Sequence, residues 1–388
     1  MAVVALNMKF VAIEKELNKL FLERAQPIRG IILSTLSATN ILLLGPAGVA
    51  KSALIDQWNK RITNANYFYR LMTKYTTPEE IFGPPSLKGL REESYRRVTR
   101  GKIPEMNTIF LDEVFKSNSP ILNSLLTVLN ERTFDNDGDR MKLPLITVAG
   151  ASNEIPEAED GLDAFFDRFL LKYYVKPIQE SSNFVKMLQG GNFEDPAENM
   201  VTLAEVHTAQ QEVAKVIVPE NVLEHMDRLR QTLRKDGIMV TDRSFKTSLK
   251  ILKAEAWMNG SPEVNTLNLE IFKNICWTKP DQEKVVHSTI LELISPEKNK
   301  IMTLYQDCQD QAKSVYKHKD AAKKQTAMVE ANQKIKDARV QISRLKKEMA
   351  SKKQDVVEIE KMENELEKMT LNMAQEVLGV DLSQYGKL

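Results

Sequence analysis

Cysteine is scarce in this chain: Cys276 and Cys308 are the two in 388 residues, and no CxxC spacing exists. A disulfide framework is excluded, and a reducing, cytosolic setting is the simplest expectation. Histidine is nearly as scarce. The four present, His207, His225, His287 and His318, are scattered, so no metal site can be assembled from local sequence. No apolar run approaches the ~18–20 residues that cross a bilayer, and no basic stretch precedes a long apolar one at the N-terminus. The chain reads as neither secreted nor membrane-spanning. An excess of charge is also missing: 54 Lys and Arg face 53 Asp and Glu, a formal net charge of +1. That balance argues against a protein built mainly to hold nucleic acid or an anionic membrane, though it leaves room for a local basic patch.

What remains is an ordinary globular composition, 42% hydrophobic and 28% charged, in a length that suits two or three domains. Residues 8–36 carry apolar positions at helical spacing and read as two helices divided near Pro27. Three short apolar runs, Ile41–Leu44, Ile109–Leu111 and Leu145–Ala149, alternate with helical stretches. That alternation predicts an α/β fold with a doubly wound parallel sheet. The loop-rich piece Pro84–Pro104 looks like an inserted hairpin. Turn signals at Lys176-Pro177, Gly190-Gly191 and Asp195-Pro196 loosen the pattern. Helical spacing resumes from Pro219 to about Trp277, a small all-α domain.

Beyond Pro296 there is no Gly or Pro until Gly379. A heptad can be laid there with a at Ile335, Ile342, Met349 and Val356, and d at Ala338, Leu345, Ile359, Leu366 and Met373. Lys352, Glu363 and Thr370 break that seam, so a long two-stranded zipper is not expected. A helical hairpin, or helical surface that a partner completes, fits better.

The chemistry concentrates in three places. Ile41–Leu44 runs into Gly45-Pro46-Ala47-Gly48-Val49-Ala50-Lys51-Ser52 and then into a helical stretch. Small residues let backbone N–H groups turn inward on a phosphate chain, with positive potential added by the helix N-terminus. Lys51 would reach the β- and γ-phosphates, and the Ser52 hydroxyl would hold Mg²⁺. Ala50 stands where the usual pattern has glycine, which suits a right-handed backbone there. Second, the run Ile109–Leu111 ends in Asp112-Glu113, with Asp112 61 positions after Lys51. Asp112 would bind the Mg²⁺ water shell, and Glu113 would orient and deprotonate an attacking water. Third, Asn153 closes the next run, where it could hydrogen-bond the nucleophilic water or the γ-phosphate.

Taken with the segments GPAGVAKS (45–52), LMTKYTTPEEIFGPPSLKGL (71–90), IFLDEVFKSNSPILNSLLTVLNERTF (109–134), AGASNEIPEAEDGLDAFFDRFLL (149–171) and VTDRSFKTSLKILKAEAWMNG (240–260), the sequence resembles the MoxR family of AAA+ ATPases, most closely its RavA branch. The resemblance covers roughly residues 5–280. It implies Mg²⁺-ATP as cofactor and a homo-oligomeric ring, usually a hexamer, with nucleotide at each subunit boundary. It implies that Arg168 is an arginine finger reaching a neighbour's γ-phosphate and that Arg243 is a sensor arginine contacting γ-phosphate within its own chain. The stretches Ser86–Val98 and Phe134–Leu143 resemble the two insertions that face the ring centre. Tyr95, Arg96, Arg97 and Arg100 make the first of them basic, and a solvated loop is the favoured reading over nucleic-acid contact. The family implies remodelling or maturation of a partner protein, commonly one with a von Willebrand factor A domain. The expected boundaries are 1–180 for the nucleotide-binding core, 181–215 for a linker, 216–280 for an all-α lid and 281–388 for the C-terminal helices. A nucleic-acid-stimulated motor and an ATP-dependent assembly scaffold are the alternatives.

Overall fold

The computed structural model describes residues 5–154, 163–190, 198–317, 320–352, 354 and 356–378. The turn signals at Gly191 and Asp195-Pro196, the stop at Gly379 and residues 155–162 of the fourth resemblance segment lie outside the described residues. The chain divides into two compact units, Met1–Val286 and His287–Leu388.

The first unit opens with α1 (Leu6–Leu20) and α2 (Ala25–Leu36). Phe10, Ile13 and Leu17 form the buried stripe of α1. The break falls at residues 21–24 rather than at Pro27. Pro27 sits in the first turn of α2, where a missing N–H costs nothing. There follow β1 (Ile41–Leu44), α3 (Lys51–Asn59), β2 (Ile62–Thr63), β3 (Tyr67–Leu71), α4 (Pro78–Phe82), α5 (Leu87–Arg91) and β4 (Thr108–Asp112). Then come α6 (Ser119–Glu131), β5 (Thr133–Asn136), β6 (Asp139–Lys142), β7 (Thr147–Ser152), α7 (Asp163–Phe166) and β8 (Leu171–Tyr174). The unit continues through α8 (Ser181–Gln189), β9 (Val201–Thr202), α9 (Leu203–Lys215), α10 (Glu220–Lys235), α11 (Asp242–Met258) and a 3₁₀ stretch at Thr266–Asn274.

Five strands form one sheet in the order β3-β4-β7-β1-β8, every neighbouring pair parallel. β1 and β7 are buried along their whole length, the signature of central strands covered on both faces. β3 lies at one edge with Tyr69 and Leu71 exposed, and β8 lies at the other edge. The insertion at 84–104 is a short helix, α5, closed by a single antiparallel bridge from Pro85 to Arg97, rather than a regular hairpin. β5 and β6 do form an antiparallel hairpin, and Phe82 stacks on Phe134 at 5.2 Å between the two insertions.

The span 181–215, expected as a linker, carries two helices. α9 begins at a reciprocal cap between Thr202 and Glu205 and buries Val206, Ala209 and Val213, with neighbours in α2 and α11.

α12 (Gln282–Ile294) crosses from the first unit to the second. The second unit continues with α13 (Pro296–Lys317), α14 (Ala321–Ser351) and α15 (Val357–Leu378), which pack on one another within the chain. Ile301, Val315, Ile335, Ile342, Ile359, Leu366 and Met373 supply its core. Each break in the heptad has a local answer. Lys352 is the C-cap of α14 and pairs with Glu297, so it ends a helix instead of interrupting one. Glu363 pairs with Lys346, and the Thr370 hydroxyl donates to the Leu366 carbonyl at 3.1 Å. Of the two expectations the helical hairpin is the one that forms: α14 and α15 pack on each other, and α13 and intrachain ion pairs line the seam. Among the described residues, no helix is long and apolar enough to cross a membrane.

Candidate functional site

Parallel strands place their C-terminal ends along one edge of the sheet, and β1, β4 and β7 deliver the three predicted motifs there. The loop after β1 turns at Gly45, whose φ is 142°; a Cβ at that position would lie 2.2 Å from the Val175 carbonyl oxygen. Gly48 has φ 81°, a left-handed turn in which a Cβ would meet nothing within 4 Å. Ala50 sits at φ 69°, ψ 23°, in the left-handed region. The expected right-handed backbone at this position is corrected: the loop imposes a glycine-like turn on an alanine, at a cost of roughly 1–2 kcal/mol. Val49 is fixed from behind by Arg24, whose Nε donates to its carbonyl at 3.3 Å.

The Lys51 ammonium is buried and donates to the carbonyls of Gly45 and Pro46 at 2.7 and 2.9 Å and to Asn153 Oδ1 at 2.7 Å. Burial lowers its pKa, and the carboxylates of Glu113 and Asp112 work in the opposite direction. The Ser52 hydroxyl donates to Asp112 Oδ2 at 2.9 Å, while Asp112 Oδ1 accepts the Glu113 backbone N–H at 3.0 Å. Glu113 stands just past β4 with φ 51°, a second non-glycine residue in the left-handed region. Its carboxylate accepts from Asn153 Nδ2 and pairs with Lys116 at 3.3 Å. The one amide of Asn153 thus bridges Lys51 and Glu113. A hydroxyl and a carboxylate side by side are hard oxygen donors suited to Mg²⁺, which keeps several waters and phosphate oxygens as its other ligands. Among the described residues no group of three His, Cys, Asp or Glu could hold a metal without such help.

Arg168 and Arg243 lie elsewhere. They line a cavity of about 300 Å³ with Asn40, Arg132, Asp167 and Lys250. Asn40 immediately precedes β1, Leu145 precedes β7, and Arg168 precedes β8, so this cavity lies along the N-terminal edge of the sheet. Asn40 Nδ2 donates to the Arg168 carbonyl at 3.0 Å. From Asn40 to Gly45 the chain rises about 16 Å along β1. Arg243, expected to serve its own chain's phosphates, here shares a cavity with Arg168, a strand's length from Lys51. Arg168 makes an ion pair with Asp167 at 3.2 Å, and its Nε has no hydrogen-bond partner.

Two of the basic residues of the insertion, Arg96 and Arg97, already face acidic partners. Arg96 faces Asp137 and Asp139 at 3.6 and 3.7 Å, while Arg97 faces Glu79 at 3.6 Å and donates to the Gly83 carbonyl at 2.8 Å. Sequence reasoning did not single out Lys116, which pairs with the predicted base from the next turn, or Arg132 and Lys250 in the cavity. A cation three residues after Glu113 was a readable signal for the first.

Comparison with known proteins settles the lineage. Residues 8–216 match the family model of the MoxR domain found in the MoxR-vWA-beta-propeller ternary systems, and residues 221–290 match an AAA lid domain. The chain belongs to the MoxR family of AAA ATPases. An uncharacterised protein of Methanocaldococcus jannaschii is 41% identical over 272 residues, 70% of this chain and 72% of that protein. A second uncharacterised protein of the same archaeon is 39% identical over 286 residues, 74% of each chain. A crystal structure from Cytophaga hutchinsonii, of a candidate ATPase, superposes with a TM-score of 0.61 over 75% of this chain and 95% of that one. At 17% identity that likeness speaks for the fold alone. Membership of the family implies nucleotide binding, and it assigns the lid to the helices that follow α9.

Proposed function

We propose that this MoxR-family protein hydrolyses Mg²⁺-ATP in a ring of identical subunits and uses the energy to remodel a partner protein. The observation that carries the reading is the division of labour across one sheet. Phosphate-cradling and acidic groups gather at the C-terminal edge, and the arginines that would neutralise a transferring phosphoryl group gather at the other. A site built in two halves, about 16 Å apart in one chain, is completed when the arginine edge of one copy meets the Lys51 edge of the next.

Gly45–Ala50 and Lys51 would bind the phosphate chain, with the Lys51 ammonium exchanging the Gly45 and Pro46 carbonyls for phosphate oxygens. Ser52 and Asp112 would hold Mg²⁺, which offsets charge on the β- and γ-phosphates. Glu113 would take the proton of the attacking water, and Asn153, already hydrogen-bonded to both Lys51 and Glu113, would align that water with the phosphoryl group. Arg168 and Arg243 of the adjacent copy would stabilise the negative charge that spreads over the equatorial oxygens. The partner class we favour is a von Willebrand factor A domain protein, because the matching family takes its description from systems that contain one. The matched charges of Arg96 and Arg97 leave the nucleic-acid alternative without a supporting observation. A passive scaffold would need neither Glu113 nor an arginine edge.

The test uses mixed subunits of the full chain. Arg168→Ala should bind nucleotide and lose about 10³-fold or more of ATPase rate, and Lys51→Ala should lose both. Mixing the two should restore turnover, because some boundaries then pair an intact Lys51 edge with an intact Arg168. A mixture no more active than its components would overturn the shared site, and so would a strictly monomeric protein with Mg²⁺-ATP.

A further inference from the structure

The cavity at the N-terminal edge holds one more guanidinium than the family resemblance assigns. Arg132 follows α6 directly and adopts φ 55°, ψ 39°. That left-handed position at a helix end is normally taken by glycine or asparagine, because any larger residue pays about 1 kcal/mol or more for it. A long cationic side chain is an odd occupant unless its head group is wanted there.

Two of its contacts are structural. Arg132 Nη2 donates to Asn40 Oδ1 at 2.8 Å and to the Ala38 carbonyl at 3.3 Å, so the guanidinium is anchored at the root of β1. Nη1 is the orphan: it is buried and has no hydrogen-bond partner. Among the described residues no carboxylate pairs with it. Burial alone pushes its pKa down to about 10, whereas Arg29 in the same unit has Glu14 and Glu255 against it. Among the described residues Asp167 is the one acid lining the cavity, and it is engaged with Arg168 and, at 3.4 Å, with the Ser244 hydroxyl. Four cations among the described residues, Arg132, Arg168, Arg243 and Lys250, thus share about 300 Å³ with a single carboxylate. A buried guanidinium without a counter-charge is costly, and an anion carrying several oxygens is the chemistry that relieves it.

We propose that Arg132 is a third arginine of the shared site, donating through Nη1 to the terminal phosphate of a nucleotide bound by a second copy of this chain. This rests on the reading that the site is shared between copies. Arg132 then has two duties on one fork, with Nη2 holding the α6 end to Asn40 and Nη1 meeting the phosphate beside Arg168.

The experiment separates that role from a purely structural one. Full-length Arg132→Ala should bind a fluorescent ATP analogue within about 2-fold of wild type and should lose about 10²-fold in kcat with little change in KM. Arg132→Lys, which keeps the charge and loses the fork, should recover part of the rate. Mixed with Lys51→Ala, the Arg132→Ala protein should regain turnover, because its own Lys51 edge is intact and a Lys51→Ala neighbour supplies an intact Arg132. If Arg132 only braced β1 within its own chain, that mixture would stay inactive while the Arg168→Ala mixture recovered, and the inference would fail alone. If neither mixture recovered, the shared site itself would fail and take this inference with it. Should Arg132→Ala not fold, Arg132→Gln keeps a donor for Asn40, and the same pair of mixtures decides.

Discussion

The two edges of the sheet handle charge in opposite ways. At the C-terminal edge each predicted group has a partner: Lys51 has three acceptors, Ser52 is joined to Asp112, and Glu113 lies between Asn153 and Lys116. At the N-terminal edge Arg132 and Arg168 each keep a buried nitrogen with nothing to donate to. The first edge is preorganised, its groups held in place by one another before any substrate arrives. The second is incomplete in one chain. On the proposed shared-site reading that asymmetry is useful: a preorganised half would not turn over until an incomplete half finds it.

The largest effect on the preorganised edge is expected at Glu113. Glu113→Gln keeps the shape and the contact with Asn153 and removes the base, so hydrolysis should fall by about 10²–10⁴-fold with nucleotide binding retained. Single-turnover rates beside equilibrium binding of the same analogue check it. Hydrolysis at the wild-type rate would move the base elsewhere and leave the hydrogen-bonded edge as mere architecture.

Legibility in the sequence follows the same division. The C-terminal edge was readable because its chemistry is local: a loop, a strand end and a strand end, each a few residues long and each flanked by its own apolar run. The N-terminal edge was not, because Asn40, Arg132, Arg168 and Arg243 come from four separate elements that only the sheet topology brings together. Arg168 and Arg243 were found through family resemblance, which does not by itself place them in one cavity. Strand detection failed for a related reason. β8 reads Leu-Lys-Tyr-Tyr, and a lysine in a short run masks a strand whose Lys172 is nonetheless buried. β3 is an edge strand whose burial alternates weakly. In the second unit the periodicity was sound, but a heptad laid across the α14–α15 turn mistook a helix end at Lys352 for a flaw in the seam.

Lys172 sharpens the comparison, since it is a cation near the incomplete edge that does not line the cavity. Its ammonium lies 5.1 Å from the Phe166 ring and 5.6 Å from that of Trp277, and burial pushes its pKa down to about 8. No entering anion relieves it, so removing the charge should stabilise the fold, whereas Arg132 is retained for a ligand. Lys172→Met should add up to about 3 kcal/mol at pH 7, the equivalent of the shift from 10.5 to about 8. The unfolded chain holds the proton to about pH 10, so between pH 8 and 10 the unfolded state binds more protons and the wild-type lysine becomes progressively less costly. The advantage of Lys172→Met in denaturant midpoint should accordingly shrink across that window. A constant advantage would mean that the folded lysine keeps its proton through pH 10, so that burial does not depress its pKa, and a loss of stability would mean that the two ring faces hold the ammonium well enough to outweigh burial.

The smallest expected effect tests how much strain the preorganised edge carries. Ala50 lies at φ 69° immediately before Lys51, and its amide belongs to the cradle around the phosphates. A left-handed alanine costs roughly 1–2 kcal/mol that a glycine escapes, while glycine's freer unfolded chain returns about 0.4–1 kcal/mol. The difference favours the replacement, so Ala50→Gly should stabilise the protein by about 0.5–1 kcal/mol, a rise of about 2 °C in Tm for a unit of this size. Thermal melting without nucleotide is the measurement, because bound phosphate would add its own stabilisation to both proteins. A rise of that size would mean that the loop geometry is imposed by the surrounding contacts, with Gly45 against Val175 and Arg24 on Val49, and that alanine merely tolerates it. A fall would mean that the Ala50 methyl group packs inside the loop and helps to hold Lys51 where its three acceptors meet it, making the strained residue part of what preorganises the edge.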